Sequence, residues 1–168
     1  EAAVAGQREH RPVFAGGDIG CLSVYGTVND LAVSGARPLW LTWALILEEG
    51  TDGELLETCV RGAARAAEEA GVTIVAGDTK VVPRGKADRI FAVTAGFGVV
   101  PPGRDLGDTH IRPGDAILVS GPIGDHGATV LAHRHGMEAP GLKSDCGSVA
   151  ALVENLLESG AAVRSLHD

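Results

Sequence analysis

Leu39-Trp40-Leu41-Thr42-Trp43-Ala44-Leu45-Ile46-Leu47 is the stretch on which the fold turns. It follows Pro38, is apolar almost throughout and ends at Glu48-Glu49-Gly50, so it is too short for a typical helix and suits a strand buried on both faces. Directly after it, Thr51, Asp52, Gly53 and Glu54 spell an S/T-x-x-E capping box, in which a hydroxyl and a carboxylate satisfy orphan backbone N–H groups at a helix start. Leu55, Leu56, Cys59, Val60, Ala63, Ala67 and Ala70 then recur at three-or-four spacing, and Gly71 supplies a left-handed stop. Cys59, inside that stripe, reads as core.

Outward from this pair, residues Cys21 to Tyr25 read as a short strand and Thr27 to Ala36 as a short helix with Val28, Leu31, Ala32 and Gly35 on one face. On the other side, Val72 to Ala76 reads as a strand running into a loop, Gly77-Asp78-Thr79-Lys80. Val81-Val82, the turn Pro83-Arg84-Gly85-Lys86 and the apolar run Ile90 to Val100 suggest a hairpin. Pro101-Pro102-Gly103 interrupts regular structure, and a domain boundary is expected within 101–112. The remainder offers a strand at Ala116 to Ser120, a glycine-spaced turn at Gly121 to Gly127, helices at Ala128 to His135 and Ser148 to Ser159, and a last strand at Ala161 to Leu166. About 60 residues make a marginal domain, so this part is expected to belong to something longer or to need a partner.

The composition narrows the function classes. The chain has 168 residues, 45% of them hydrophobic, which is room for one good core or two small ones. A net charge of −8 leaves no basic surface for nucleic-acid phosphates or an anionic membrane. The longest apolar run is far short of a membrane span, and the first residues do not form a signal peptide, so the expectation is a soluble, cytoplasmic protein. Three cysteines, far apart and without CxxC, argue against a disulfide framework, while 24 glycines announce many sharp loops.

Several of those glycines sit beside groups that could do chemistry. In Gly16-Gly17-Asp18-Ile19-Gly20, bare backbone could approach a phosphate while the carboxylate faces a cation, though a tight turn with a solvated Asp18 explains the residues equally well. Asn29-Asp30, in the first turn of the expected helix, is explained by ordinary capping. Asp78 follows a buried strand, the position at which α/β proteins place ligand loops, and this raises the idea that Asp18, Asp30 and Asp78 converge. Converging carboxylates repel unless a divalent cation joins them, and magnesium is usually held by a few carboxylates together with substrate phosphates. Lys80 would share a face with Asp78 on an extended segment and could neutralise a phosphate or a developing charge.

In the second part, Gly121-Pro122-Ile123-Gly124-Asp125-His126-Gly127 opens a helix and could receive an anion, yet it matches neither the Walker GxxxxGK[ST] ending nor GxGxxG. His126 could orient a substrate or act as acid or base, or simply make a loop hydrogen bond. His133 and His135 fall on different helix faces, so no zinc site is inferred. Ser144-Asp145-Cys146 has no evident base beside it in sequence and reads as a turn.

Taken in order, GGDIG at 16–20, GTVNDLAVSGARPLWLT at 26–42, ILEEG at 46–50, AGDTKVVPRG at 76–85, LVSGPIGDHG at 118–127 and SDC at 144–146 resemble the HypE family of hydrogenase maturation factors. The match runs over nearly all of Gly16 to Asp168, and many separated motifs in one order are more specific than any one of them. The resemblance implies an α/β (α+β) chain of the PurM-like, two-domain architecture shared with aminoimidazole ribonucleotide synthetase. On that scheme residues 1–107 form the ATP-binding and dimerisation domain without its usual start, and 108–168 are only the beginning of the C-terminal domain.

The resemblance further implies an ATP-dependent carbamoyl dehydratase. A carbamoyl group placed on a C-terminal cysteine by the carbamoyltransferase HypF is activated by ATP and dehydrated to a thiocyanate, the source of cyanide for nickel–iron hydrogenase. Implied partners are a second copy of the chain, HypF and the HypC–HypD complex; implied cofactors are ATP and Mg2+. By resemblance Gly16, Gly17, Asp18, Asn29, Asp30, Asp78 and Thr79 look like the nucleotide group, with Asp18, Asp30 and Asp78 as magnesium ligands. Lys80 and His126 look catalytic, and Gly121, Gly124, Asp125 and Gly127 form the wall from the second domain.

Departures accompany the match. Gln7-Arg8-Glu9-His10 stands where the family has an acidic strand, so one expected magnesium ligand is lacking. Cys146, inside SDC, is no substitute for the family's terminal thiol. The chain is therefore expected to be a fragment, inactive alone. Rival expectations are another PurM-like phosphotransferase, of the selenophosphate synthetase or thiamine-monophosphate kinase type, or a non-catalytic dimerisation module.

Overall fold

The computed structural model describes residues 12–168. The segment 7–10, and with it the start of the proposed first domain, lies outside the described residues. A short antiparallel ladder, β1 (Val13–Phe14) with β2 (Gly17–Asp18), leads into helix α1 (Ile19–Val33). The long strand β3 (Arg37–Glu48) follows, then α2 (Gly53–Glu69), β4 (Thr73–Val82) and β5 (Ile90–Val99). A single 3-10 turn at Asp108–His110, helix α3 (Asp125–His135) and helix α4 (Ala150–Glu158) complete the regular elements. The result is a mixed α/β chain.

The decisive apolar run is strand, as expected, and it forms the centre of a three-stranded sheet in the order β4-β3-β5. β4 runs parallel to β3, joined by the α2 crossover, and β5 runs antiparallel to it. The expected hairpin between the strands around Pro83–Lys86 is therefore not there: β3 inserts between them and takes up the backbone groups of both. Nor is Gly77-Asp78-Thr79-Lys80 a loop, because β4 continues through it, with Asp78 opposite Ala44 and Lys80 opposite Ile46. The glycine and charged residues hid a strand that β3 holds by register.

Nor is β3 buried on both faces. Leu41, Leu45 and Leu47 turn inward, joined by Trp43, whereas Trp40 on the opposite face is 51% exposed. One core cluster gathers Val24, Tyr25 and Val28 of α1, Ala63, Ala66 and Ala67 of α2, and Leu41 and Val72. A second holds Leu45, Leu47, Cys59 and Ile90, with Leu55 and Leu56 packed against it. Cys59 is core, as its spacing predicted. Each fully buried aliphatic side chain contributes about 1.5–3 kcal/mol through removal of its apolar surface from water.

One helix replaces the expected strand at Cys21–Tyr25 and helix at Thr27–Ala36. Asp18 caps it, its carboxylate accepting from the Cys21 N–H at 2.9 Å. Gly20 makes that start look irregular in sequence, but its place is set by packing: a Cβ there would stand 1.9 Å from the Cys59 carbonyl oxygen, where α1 crosses α2. At the start of α2 the cap is Asp52, which accepts from Glu54 N. Thr51 instead donates its hydroxyl to the carbonyls of Glu48 and Arg89, tying the end of β3 to the start of β5. Gly71, with φ +68°, ends α2 as the sequence required.

After Val99 the chain is less compact. Ala116–Ser120 forms no strand; Ile117 is 91% exposed, and Leu118 and Val119 are exposed beside it. Residues 161–166 are likewise without regular structure. Both runs have strand-like composition, but among the described residues no neighbouring strand satisfies their backbone groups, which a strand requires. α4, by contrast, docks firmly: Glu154 accepts from Arg104, and Arg37 of β3 reaches Glu154 and Glu158. No helix among the described residues is long and apolar enough to cross a membrane.

Candidate functional site

The three aspartates do not converge. Asp18 is buried and faces α2: its carboxylate holds the α1 cap and lies 3.8 Å from the Arg65 guanidinium. A Cβ on Gly62 would come within 2.1 Å of an Asp18 oxygen, so only glycine leaves room for this carboxylate between the helices. Asp30 is exposed on the last turns of α1, not in a first turn where capping would explain it. Asp78 is exposed on β4 and, among the described residues, accepts only from the N–H of Thr79 at 2.8 Å. Among the described residues no group of three or more His, Cys, Asp or Glu is arranged to hold a metal ion. A magnesium centre of Asp18, Asp30 and Asp78 within one chain thus does not fit, because Asp18 is committed to a helix cap and an arginine.

The glycines beside Asp18 also have protein neighbours. A Cβ on Gly16 would stand 3.0 Å from the backbone of Ser144, and one on Gly17 would stand 2.9 Å from the Cys21 sulfur. The Gly16-Gly17 turn packs against the Ser144–Cys146 segment, with Ser144 N donating to Ala15 O at 2.8 Å.

Acidic groups do come together elsewhere, around Asn29. This buried amide donates to the Gly147 carbonyl at 3.0 Å and to Asp168 Oδ1 at 3.1 Å, and accepts from Val149 N at 2.9 Å. It ties α1 to the entry of α4 and to the end of the described chain. The Asp168 carboxyl titrates above its usual range, chiefly from burial; the Asn29 hydrogen bond opposes this and the charges of Asp30 and Asp145 add to it. Asp145 and Asp168 are members of this group that sequence reasoning missed, since neither lies in a helix start or glycine loop. Asp30 also lines an open cleft of about 320 Å³ with Ser34, Gly107, Asp108 and His167.

A second small constellation surrounds His126. Its ring Nδ1 lies 3.1 Å from Ser144 Oγ, and its backbone N–H donates to Asp145 Oδ1 at 3.0 Å. The Phe14 ring meets the imidazole edge-on at 5.0 Å. The SDC triplet is not the regular backbone turn expected; Cys146 N–H closes it onto Ser144 Oγ instead, and it has a basic group beside it, supplied from 18 residues away in sequence. In the preceding loop Gly124, at φ +87°, precedes Asp125 at the start of α3; Gly121 and Gly127 border open space.

Asp78, Thr79 and Lys80 lie on the edge of the sheet. Register puts Asp78 and Lys80 beside Ala44 and Ile46, on the face turned away from the helices, and Thr79 beside Leu45 on the other. Lys80 is exposed and has no ion-pair partner among the described residues. An unpaired ammonium flanked by a carboxylate on an open sheet face can receive a phosphate without first breaking an internal pair.

A three-stranded β4-β3-β5 sheet covered on one face by α1 and α2, with Asp78 and Lys80 of its Gly-Asp-Thr-Lys segment on the open face, defines the class. The chain belongs to the family of AIR synthase related proteins through that family's N-terminal domain, whose model matches residues 6–100. Within it, the chain is 51% identical over 156 residues to carbamoyl dehydratase HypE of Rhodobacter capsulatus, covering 92% of this chain and 46% of that protein. It matches the crystal structure of HypE in complex with ATP at a TM-score of 0.91 and 43% identity, over 100% of this chain and 53% of that one. HypE in a HypE–HypF complex matches at 0.90 and 46% identity, over 96% and 53%. The chain spans about half the length of the curated relatives it matches.

Proposed function

We propose that this chain is the nucleotide-binding part of a HypE-type carbamoyl dehydratase. What supports this most is its match, across its whole length, to a HypE that was crystallised with ATP. The proposed reaction converts a carbamoyl group on a cysteine sulfur, S–C(=O)–NH2, into S–C≡N. The amide oxygen is a poor leaving group; transfer of the ATP γ-phosphoryl to it lets it depart as phosphate while the nitrogen gives up both protons.

Lys80, on the open face, neutralises charge on the transferred phosphoryl group, and Asp78 orients it from the same side. Thr79 turns its side chain to the other face and joins the group through its backbone N–H, which holds Asp78 Oδ1 at 2.8 Å. His126, held by Ser144 and Asp145, takes a proton, and the start of α3 from Gly121 to Gly127 lies toward the anion. Gly16 and Gly17 serve by seating the Ser144–Cys146 segment, Asp18 by capping α1, and Asn29 by holding the Asp168 carboxylate. Magnesium enters with the nucleotide, since these residues do not form a ready three-aspartate centre.

Cys146 is packed against Cys21 and is not the carbamoylated thiol. Residues 1–107 act as the first domain and 108–168 as part of the second, the carbamoyltransferase HypF is the partner that supplies the carbamoyl group, HypC–HypD receives the product, and all of this takes place in the cytoplasm. A second copy of the chain covers the open sheet face. Its exposed apolar side chains Trp40, Phe91, Val93 and Phe97 support that assembly.

The test is ligand-linked stability. ATP with magnesium, at about a hundredfold above its Kd, should raise Tm by roughly 5–10 °C in a chain of this size. Lys80→Ala and Asp78→Ala should each remove most of that rise while leaving the ligand-free Tm unchanged. No rise in the parent chain, or equal rises in both variants, would refute the site.

A further inference from the structure

Two of the three cysteines meet. The Cys21 sulfur, in the first turn of α1, lies 3.2 Å from Asp18 N and 3.1 Å from Asp18 O; the Cys146 sulfur, 125 residues further on, stands 3.9 Å from it. A disulfide needs about 2 Å, so the two must close by roughly 2 Å more. Cys59 is apart from them, among Leu45, Leu47 and Ile90.

The pair is electronically unequal. The Cys21 thiol is brought down to about 7, first by the hydrogen bond from Cys146, with the Asp18 backbone and Arg65 assisting against burial and the Asp18 charge. The Cys146 thiol is pushed up, by the same hydrogen bond and by burial. Cys59 is pushed up to about 11 by burial. Of the two thiols Cys21 is thus the more acidic and Cys146 the less, which is how a reactive and a resolving thiol are matched.

We propose that Cys21 and Cys146 form a reversible thiol–disulfide pair, closed by a hydroperoxide, that locks the Ser144–Cys146 segment and the His126 it holds onto the start of α1. The Cys21 thiolate attacks one oxygen of the hydroperoxide ROOH, the O–O bond breaks, and RO− leaves to take a proton, giving Cys21–SOH. The Cys146 sulfur then attacks the Cys21 sulfur, loses its proton, and expels the hydroxyl as water. Two thiols are oxidised by two electrons and one peroxide is reduced. Cys21 is 4% exposed and Cys146 more so, so the smallest hydroperoxide, hydrogen peroxide, is the oxidant the site admits best.

The segment transmits the closure. Ser144 Oγ accepts from Cys146 N at 3.0 Å and lies against His126 Nδ1, and Asp145 accepts from His126 N. Moving Cys146 toward α1 therefore displaces the groups that orient the imidazole. Bond formation does not depend on the proposed function; only an effect on dehydration would rest on that reading.

The experiment treats the protein with hydrogen peroxide, blocks free thiols by alkylation and maps tryptic peptides without reductant. The expected result is a Cys21–Cys146 cross-linked peptide about 2 Da lighter than the sum of its parts, with Cys59 alkylated. In Cys146→Ser, Cys21 should stop at the sulfenic acid and be trapped by dimedone. Separate alkylation of both peptides after peroxide, or a link to Cys59, overturns the pair. For the lock, the His126 imidazole resonances should shift on oxidation, return with dithiothreitol and stay fixed in Cys146→Ser, with His133 unmoved. A cross-link that leaves His126 unchanged overturns the lock. Both readouts are taken without nucleotide, so their failure is distinct from failure of ATP binding.

Discussion

Asp18 shows how one carboxylate can be mistaken for another kind of site. Between two glycine-rich turns it has the surroundings of a phosphate and cation loop, yet it caps α1 and sits against Gly62 and Arg65. The space it occupies is so tight that Gly62→Ala forces a Cβ into its oxygens. Destabilisation by about 3 kcal/mol or more is expected, read as a lower urea midpoint at unchanged slope. Gly53→Ala, where a Cβ meets nothing within 4 Å, serves as the control and should stay near the parent. Asn29 makes the complementary point: its role as a bridge to residues 147–168 has no trace in its helical neighbours.

Elements in the second half are held by a few polar anchors. α4 depends on Glu154, whose carboxyl is brought down to about 2, first by the Arg104 hydrogen bond and then by Arg37. Because the folded value lies below the usual carboxylate value near 4.5, the stabilisation is fully present above about pH 4.5 and is lost as pH falls through about 2. Glu154→Gln should therefore lower Tm at pH 7, and its difference from the parent should shrink between pH 4.5 and 2. A difference independent of pH in that window would show that the ion pairs do not dock the helix. The neighbouring stretch 116–120 shows the reverse case, apolar residues with no element to cover them.

At the scale of the molecule, the sheet has one covered and one open face. Phe97 is 58% exposed on the outer strand β5, on the open side and opposite Trp40, with Val93 further along the same strand. If a second copy covers this face, Phe97→Asp should convert the dimer to a monomer in sedimentation at micromolar concentration while leaving the helical circular dichroism intact. A parent chain that sediments as a monomer would remove the dimer from the proposal. The same face carries Asp78 and Lys80, so the proposed nucleotide site and the proposed assembly surface share one side of the sheet.

The strand at its centre, the α2 stripe with its Gly71 stop, the core role of Cys59 and the family resemblance were legible in the sequence, because each rests on local spacing or on ordered motifs. Strand order, the single helix over Ile19–Val33, the commitment of Asp18 to Arg65, the meeting of His126 with Ser144 and that of Cys21 with Cys146 were not. Those depend on which distant segments pack together, and no local period encodes that. A carboxylate's neighbours decide whether it caps, pairs or awaits a ligand, and its neighbours are set by the tertiary fold.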